Sequence, residues 1–162
     1  MKSFKLVLFT ALVLGLATLT FAQKKSEPQG APLPAEMLTA KKVFLLWSGG
    51  PDKIYDAFYD ELKKFGRFEL VSKPSDADLI FNVSFGDQGA APTISRNYVT
   101  GQVYSVPKNS LHLMVISPKE NAVIWTNTVF PEDAIRDSAW EKNKIKTASI
   151  LIGNMRKKYE RQ

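Results

Sequence analysis

The sequence predicts a single α+β domain with a mixed, mostly antiparallel sheet of five to six strands and two helices on one face. Three observations support this class: segments of strand period, two segments with apolar residues at helical spacing, and one strand-helix-strand crossover followed by a meander of strands. The predicted order of elements is β-α-β-β-β-β-β-α.

The first half of the domain contains the crossover. Residues 43–47 form a continuous apolar run, typical of a buried strand, and a Ser-Gly-Gly-Pro turn follows at 48–51. A helix is expected next and should stop at Gly66, because its apolar residues recur at intervals of three and four. These residues are Ile54, Tyr55, Phe58, Tyr59, Leu62 and Phe65.

The second half contains the meander. Strands are predicted at 67–71, 79–85 and 98–106, and a hairpin joins 111–117 to 122–130 through a proline-containing turn. A C-terminal amphipathic helix follows, and the Ser138 to Glu141 spacing is that of a capping box at its start.

The N-terminus predicts export. Residues 1–22 have Lys2 and Lys5, then an apolar run, and then small residues ending at Ala22, which is the pattern of a cleaved signal peptide. The apolar run is too short for a membrane span of about 20 residues, so no stable span is expected after cleavage. Residues 23–40, with three prolines, are expected to form a flexible linker before a domain at 41–162.

Composition limits the class of protein. The chain has no cysteine, so disulfides and a lipid-modified cysteine are excluded. The mature net charge of about +4 suits weak attraction to anionic envelope components. The basic residues are spread along the chain without a nucleic-acid-binding motif, so no nucleic-acid partner is expected.

Residues that suggest catalysis are few. His112 is the single histidine, and Asp76 and Asp78 lie two apart at a strand entry, where a carboxylate pair for acid and base chemistry is conceivable. One histidine and no cysteine make a poor set of zinc ligands, so neither a metal nor a cofactor is expected. The Gly49-Gly50 turn lacks the glycine pattern of a phosphate loop and is expected to be structural.

Other residues have structural explanations that compete with binding. Trp47, Trp125 and Trp140 fit a core better than a ligand groove. Lys142, Lys144 and Lys146 fit a solvated helix face better than a site for an acidic partner.

The longest predicted loop, 86–97, is the favoured binding segment. Loops of about a dozen residues in small domains are often functional. The predicted binding residues are Arg96, Asn97 and Tyr98, because they follow a flexible stretch and include residue types enriched in binding hot spots.

Four stretches resemble small bacterial envelope modules of the TolB amino-terminal, LpoB and CsgG type and related exported domains. They are KKVFLLW, ELKKFGRFELV, SDADLIFNVSF and LHLMVISPKENAVIWTNTV, the last followed by a helix. The resemblance implies an α+β sheet and a protein-binding or assembly role in the envelope. The lipid-anchored members have a cysteine that this chain lacks, so their anchor is not implied here, and no functional residues are transferred.

Together these observations predict an exported, non-catalytic module that binds another envelope protein or an anionic envelope component. The alternative is a small periplasmic or secreted hydrolase that uses carboxylates or His112.

Overall fold

The protein folds as strands and helices in the predicted order, with one additional helix at the start and one additional short strand. The computed structural model describes residues 32–86, 94–96 and 101–162, and for 94–96 it describes only the backbone. The elements are α1 (Ala35–Thr39), β1 (Lys42–Trp47), α2 (Asp52–Phe65), β2 (Glu69–Val71), a 3-10 turn (Pro74–Asp76), β3 (Leu79–Gly86), β4 (Ile94–Arg96), β5 (Val103–Ser105), β6 (Ser110–Ser117), β7 (Ala122–Val129) and α3 (Asp137–Glu160).

The main sheet is mixed and has the strand order β2-β1-β3-β6-β7. β1 is parallel to β2 and to β3, whereas β3, β6 and β7 pair antiparallel. The connection from β1 to β2 runs through α2, since parallel neighbours need a crossover. The predicted α+β class and sheet are confirmed.

The core lies between one face of this sheet and the two long helices. Phe81 and Val83 of β3 and Leu113 of β6 point toward the buried faces of α2 and α3. The helices contribute fully or almost fully buried side chains, namely Ile54, Phe58, Leu62, Ala148, Leu151, Ile152 and Met155. Burying such side chains contributes about 1.5–3 kcal/mol each, so this face holds most of the stability.

The opposite face of the sheet has a smaller apolar cluster. Ile80, Met114 and Ile116 are buried there, and Tyr104 of β5 packs against them. β4 and β5 form a separate antiparallel pair. The predicted loop at 86–97 therefore contains a strand, and the strand predicted at 98–106 is restricted among described residues to Val103–Ser105.

The packed domain begins before the predicted boundary at residue 41. Leu33, Met37 and Ala40 belong to the core, and α1 lies within the segment expected to be linker. Tyr159 donates a hydrogen bond from its hydroxyl to the carbonyl oxygen of Met37 at 2.7 Å, and Arg67 donates one to the carbonyl oxygen of Leu38. These contacts place residues 33–40 in the packed domain and not in the expected linker, whereas residues 23–31 lie outside the described residues.

Two local features explain how the elements are joined. Gly50 has φ +121°, and a Cβ there would lie 2.7 Å from the Phe85 Cβ, so this turn requires glycine. α3 begins at Asp137 after Arg136 without a side-chain cap, so the predicted capping box does not form. No helix among the described residues is long and apolar enough to cross a membrane.

Candidate functional site

The predicted binding residues fall where side chains are not described. Arg96 is the last residue of β4, opposite Val103 of β5, and Asn97 and Tyr98 lie outside the described residues. Their role as a binding site stays a prediction.

The two candidate carboxylates have different hydrogen-bond partners. Asp78 accepts hydrogen bonds from the backbone N–H groups of Lys41 and Lys42, both at 2.8 Å. These bonds, with the one from Lys42 contributing most, hold the pKa of the Asp78 carboxyl below its usual value. Asp76 instead accepts a hydrogen bond from Ser75 at 3.1 Å. Asp78 therefore joins the start of β1 to the start of β3.

His112 lies far from these carboxylates. It is the cross-strand neighbour of Ser84 and of Thr128, and its Nδ1 is hydrogen-bonded to the Thr128 hydroxyl at 2.8 Å. Six residues along β3 separate Asp78 from Ser84, a distance of about 20 Å at ~3.3 Å per residue. Burial lowers the pKa of His112, which favours the neutral imidazole.

A serine opposite the histidine was not expected from the sequence. The Ser84 side chain is fully buried, and its Oγ has no hydrogen-bond partner among the described residues. A nucleophilic serine must contact its substrate, so burial to this extent favours a structural role. Ser84 and His112 are paired across β3 and β6 and therefore lie on the same face of the sheet. The sequence does not predict this pairing, because the register between the two strands depends on tertiary structure.

The glycine turn and the lysines have structural roles. The Gly49 carbonyl oxygen accepts a hydrogen bond from Phe85 N–H at 2.8 Å, which fixes the turn to β3. Lys142 and Lys146 are exposed, but Lys144 is buried and paired with Glu141 at 2.7 Å. The three lysines thus do not share a solvated face, because residues two apart on a helix point in different directions.

A different site lies at the end of the sheet where β1 and β3 finish. A cavity of about 480 Å³ opens there between the β5–β6 connection and the start of α3. It is lined by Asn109, Asp133, Ala134, Ile135, Asp137 and Trp140, and we call it the sheet-end cavity. Asn109 lies beside the end of β3, because its N–H donates a hydrogen bond to the Gly86 carbonyl oxygen at 2.6 Å.

The 130–136 segment that forms one wall of the cavity is anchored to α3. Asn143 donates a hydrogen bond to the Glu132 carbonyl oxygen at 2.8 Å, and Lys146 pairs with the Glu132 carboxylate at 3.3 Å. Pro131 is buried. The segment is thus held in place through Pro131 and Glu132, while Ile135 is left exposed.

Two large apolar side chains on this anchored segment face solvent. Ile135 is fully exposed and Phe130 is 59% exposed. Among the described residues, the other exposed large hydrophobic side chains are Val103 at 50% and Tyr59 at 36%, both less exposed than Phe130 and Ile135. Sequence reasoning missed this surface because Phe130 belongs to the predicted strand 122–130 and the residues after it show no periodic pattern; the one signal is Ile135, an isoleucine outside any predicted element.

A second cavity of about 480 Å³ lies at the opposite end of the sheet, lined in part by Glu36, Asp78 and Lys119. A hydrogen bond between the Glu36 and Glu120 carboxyl groups raises the pKa of Glu120. Asp78 is already committed to backbone donors here, and no exposed large apolar side chain lines this cavity. Within the described part of the chain, no group of three His, Asp or Glu side chains is placed to hold a metal ion.

The fold defines an α+β domain in which one crossover precedes an antiparallel meander. No known protein family matches the sequence, and no curated protein matches it significantly. Among solved structures, a DUF4136 family protein from Bacteroides thetaiotaomicron is similar to 76% of this chain and 91% of its own, with 14% identity and a TM-score of 0.50. At this identity the similarity shows the fold alone.

Two further structures have lower TM-scores. A DUF330 protein from Xanthomonas campestris has 11% identity over 80% of this chain and 92% of its own, with a TM-score of 0.44. A minor lipoprotein from Acinetobacter baumannii has 16% identity over 81% of this chain and 92% of its own, with a TM-score of 0.34. The finer resemblance to TolB, LpoB and CsgG modules stays a prediction.

Proposed function

We propose that this protein is an exported, non-catalytic module that binds another protein of the cell envelope. The observation that carries the proposal is the exposure of Ile135 and Phe130 on a segment anchored beside the sheet-end cavity. Export is supported by the signal-peptide pattern of residues 1–22.

The energetics favour an interface at this surface. Removing an isoleucine or phenylalanine side chain from water contributes about 1.5–3 kcal/mol, and a partner that covers both gains this without reorganising the anchored segment. Trp140, which is half-buried in the cavity wall, is of a type enriched in hot spots. The anchoring of the backbone by Asn143 lowers the entropy lost on binding.

The non-catalytic part of the proposal is supported by how the candidate residues are used. Asp78 accepts hydrogen bonds from two backbone N–H groups, and His112 is hydrogen-bonded to Thr128. Asp78 precedes the start of β3, whereas His112 lies opposite Ser84 near the end of that strand. A hydrolase needs titratable groups that converge on one cleft.

Site-specific photocrosslinking tests the proposal. The full-length chain, expressed in its native host, carries benzoylphenylalanine in place of Ile135. The matched control carries it in place of Tyr59, which is also exposed but lies on α2. We expect a discrete protein adduct from position 135 in the exported fraction and none from position 59. An absence of adducts at 135, or equal adducts at both positions, would show that this end of the sheet is not the interface.

A further inference from the structure

We infer that two copies of this chain pair antiparallel through the outer edge of β7, with Asn127 at the twofold axis. The inference goes beyond the proposed function, because the occupant is a second copy of the chain. The paired segment, 125–129, ends before Phe130 and does not include Ile135, so the surface proposed for another envelope protein is a separate one.

β7 is an edge strand without the usual protection against pairing. It is the last strand in the order β2-β1-β3-β6-β7, so among the described residues β6 alone pairs with it. Its eight residues include no charged residue, no proline and no glycine. Natural edge strands are usually short or contain charges or proline, because an open row of N–H and C=O groups pairs with other chains. The opposite edge follows this rule, since β2 has three residues and begins with the exposed Glu69.

A bulge limits the part of β7 that is available to a new strand. Trp125 and Val123 each pair with a residue of β6, but Ile124 between them does not. A bulged residue bends the strand and interrupts its row of hydrogen-bonding groups. Regular pairing is therefore available at 125–129.

Asn127 indicates where the centre of the pairing lies. It is the cross-strand neighbour of Leu113, so it lies on the helix-covered face of the sheet, with the buried Trp125 and Val129 on either side. Asparagine is disfavoured in strands. The Asn127 side chain is half-buried, and its amide has no hydrogen-bond partner among the described residues. The same residue of a second copy supplies one, because two facing amides can each donate and accept a hydrogen bond.

The register centred on Asn127 gives the other residues of the segment favourable partners. Trp125 lies opposite Val129 of the second copy, and Thr126 lies opposite Thr128. Aromatic–β-branched and Thr–Thr pairs are among the cross-strand pairs that stabilise antiparallel sheets. The members of each pair also lie on the same face, since residues 125, 127 and 129 face the helices and residues 126 and 128 face away from them.

Charge and symmetry favour a second copy over an unrelated strand. The chain has a formal net charge of +6, but residues 122–129 contribute none of it, so no like charges meet in the seam. A second copy places an amide opposite Asn127 by symmetry, and the antiparallel pair closes as a twofold dimer. Five residues a side are fewer than the roughly 20–30 of a standard interface, so we expect a weak dimer that depends on concentration.

Single cysteines test the pairing, because the chain has none of its own. Opposite residues of an antiparallel pair have Cβ atoms about 4.5–5.5 Å apart, close to the separation that a disulfide spans, whereas diagonal neighbours are about 7–8 Å apart. The Asn127→Cys chain, purified from the exported fraction and reduced, should therefore form a disulfide-linked dimer on mild oxidation. Thr126→Cys is the control, because Thr126 is exposed but faces residue 128 of the second copy and not itself.

The register is tested by mixing two variants. We expect at least about tenfold more linked dimer from Asn127→Cys than from Thr126→Cys alone. An equal mixture of Thr126→Cys and Thr128→Cys chains should give the mixed dimer. Equal yields from Asn127→Cys and Thr126→Cys would show random encounter of the chains and would overturn the inference.

Analytical ultracentrifugation measures the dimer without cysteines. We expect the apparent mass of the wild-type chain to rise from monomer toward dimer over about a hundredfold range of concentration. Thr126→Lys should stay monomeric because it places a charge on the edge, whereas Ser75→Lys, which adds the same charge to an exposed turn, should behave as wild type.

The outcomes are independent of the proposed function, which is measured by the adduct from position 135. A wild-type chain that is monomeric throughout and gives no disulfide at position 127 overturns the pairing and leaves the proposed function standing. A dimer that Thr126→Lys does not disrupt is formed elsewhere on the molecule and overturns the pairing as well. A dimer with the expected disulfides supports the pairing even if position 135 gives no adduct.

Discussion

Among single residues, Asp78 illustrates how a carboxylate that suggests catalysis stabilises a junction instead. Its Oδ2 accepts hydrogen bonds from the backbone N–H groups of Lys41, which precedes β1, and of Lys42, which begins it. The backbone N–H of Asp78 in turn donates a hydrogen bond to the Lys42 carbonyl oxygen at 2.9 Å. The side chain is exposed, so each bond is weakened by competing water.

We expect Asp78→Ala to lower the free energy of unfolding by about 1–2 kcal/mol, because two N–H groups lose a charged acceptor. Asp76→Ala is the control, since the Asp76 carboxylate is bonded to neighbouring Ser75 alone among the described residues. Urea unfolding at pH 7 measures both. Equal stability of the two variants would mean that the Asp78 contacts contribute nothing in solution.

His112 should make the protein sensitive to mild acid. Its pKa in the folded state lies below the ordinary 6.5 because burial disfavours the charged ring. As the pH falls through about 6.5, the unfolded chain takes up a proton before the folded one does, so the free energy of unfolding decreases. We expect His112→Gln to show a smaller decrease than wild type between pH 7.5 and about 5. Identical pH profiles from thermal or urea unfolding would contradict this.

The sequence is sufficient to assign some of these residues and not others. The single histidine and the absence of cysteine already argue against zinc from composition alone. The role of Asp78 is not visible in the sequence, because its partners at 41 and 42 are 37 and 36 residues away. The exposure of Ile135 is equally invisible, since it depends on where the 130–136 segment is anchored and not on its composition.

At the scale of elements, the long periodic segments and the short strand β2 were predicted, whereas α1 and β4 were not. α2 has 14 residues and β3, β6 and β7 have eight each, which is long enough to show a period, and all lie where the periodicity indicates. α1 and β4, of five and three residues, have too few positions to show a period, and three nearby prolines favour a linker over α1. Tertiary contacts of Leu33 and Met37 override that local preference.

The contribution of α1 to the domain can be measured. Met37 is fully buried, so Met37→Ala should lower the free energy of unfolding by about 2–5 kcal/mol through lost burial and the cavity left behind. Thr39→Ala is the control, because Thr39 is exposed and its hydroxyl bonds carbonyl oxygens of its own helix. A Met37→Ala protein as stable as wild type would restore residues 33–40 to the linker.

At the scale of the whole molecule, export is the first property to test. The signal pattern predicts cleavage after Ala22, so the intact mass of the protein from the exported fraction should correspond to a chain that begins at Gln23. Protein recovered from that fraction with residues 1–22 still attached would contradict cleavage.

The whole molecule presents two candidate binding regions: the predicted Arg96, Asn97 and Tyr98, and the surface formed by Phe130, Ile135 and the sheet-end cavity. Gly86, the last residue of β3, lies at the same end of the sheet as the cavity, since the Asn109 N–H donates a hydrogen bond to its carbonyl oxygen. A partner that covers the cavity is therefore also close to Gly86, the first residue of the predicted 86–97 binding segment.

The most direct test of an interface at Phe130 and Ile135 is the Kd with which the crosslinked partner binds two variants of the purified domain. The variants are Phe130→Ser/Ile135→Ser and Arg96→Ala/Tyr98→Ala, and circular dichroism checks that both are folded. We expect the first variant to bind at least about tenfold more weakly, which is ~1.4 kcal/mol, because both exposed anchors lose their contact area. Binding of that variant with wild-type affinity, while Arg96→Ala/Tyr98→Ala binds weakly or not at all, would contradict the account and place the interface on the 96–98 segment instead.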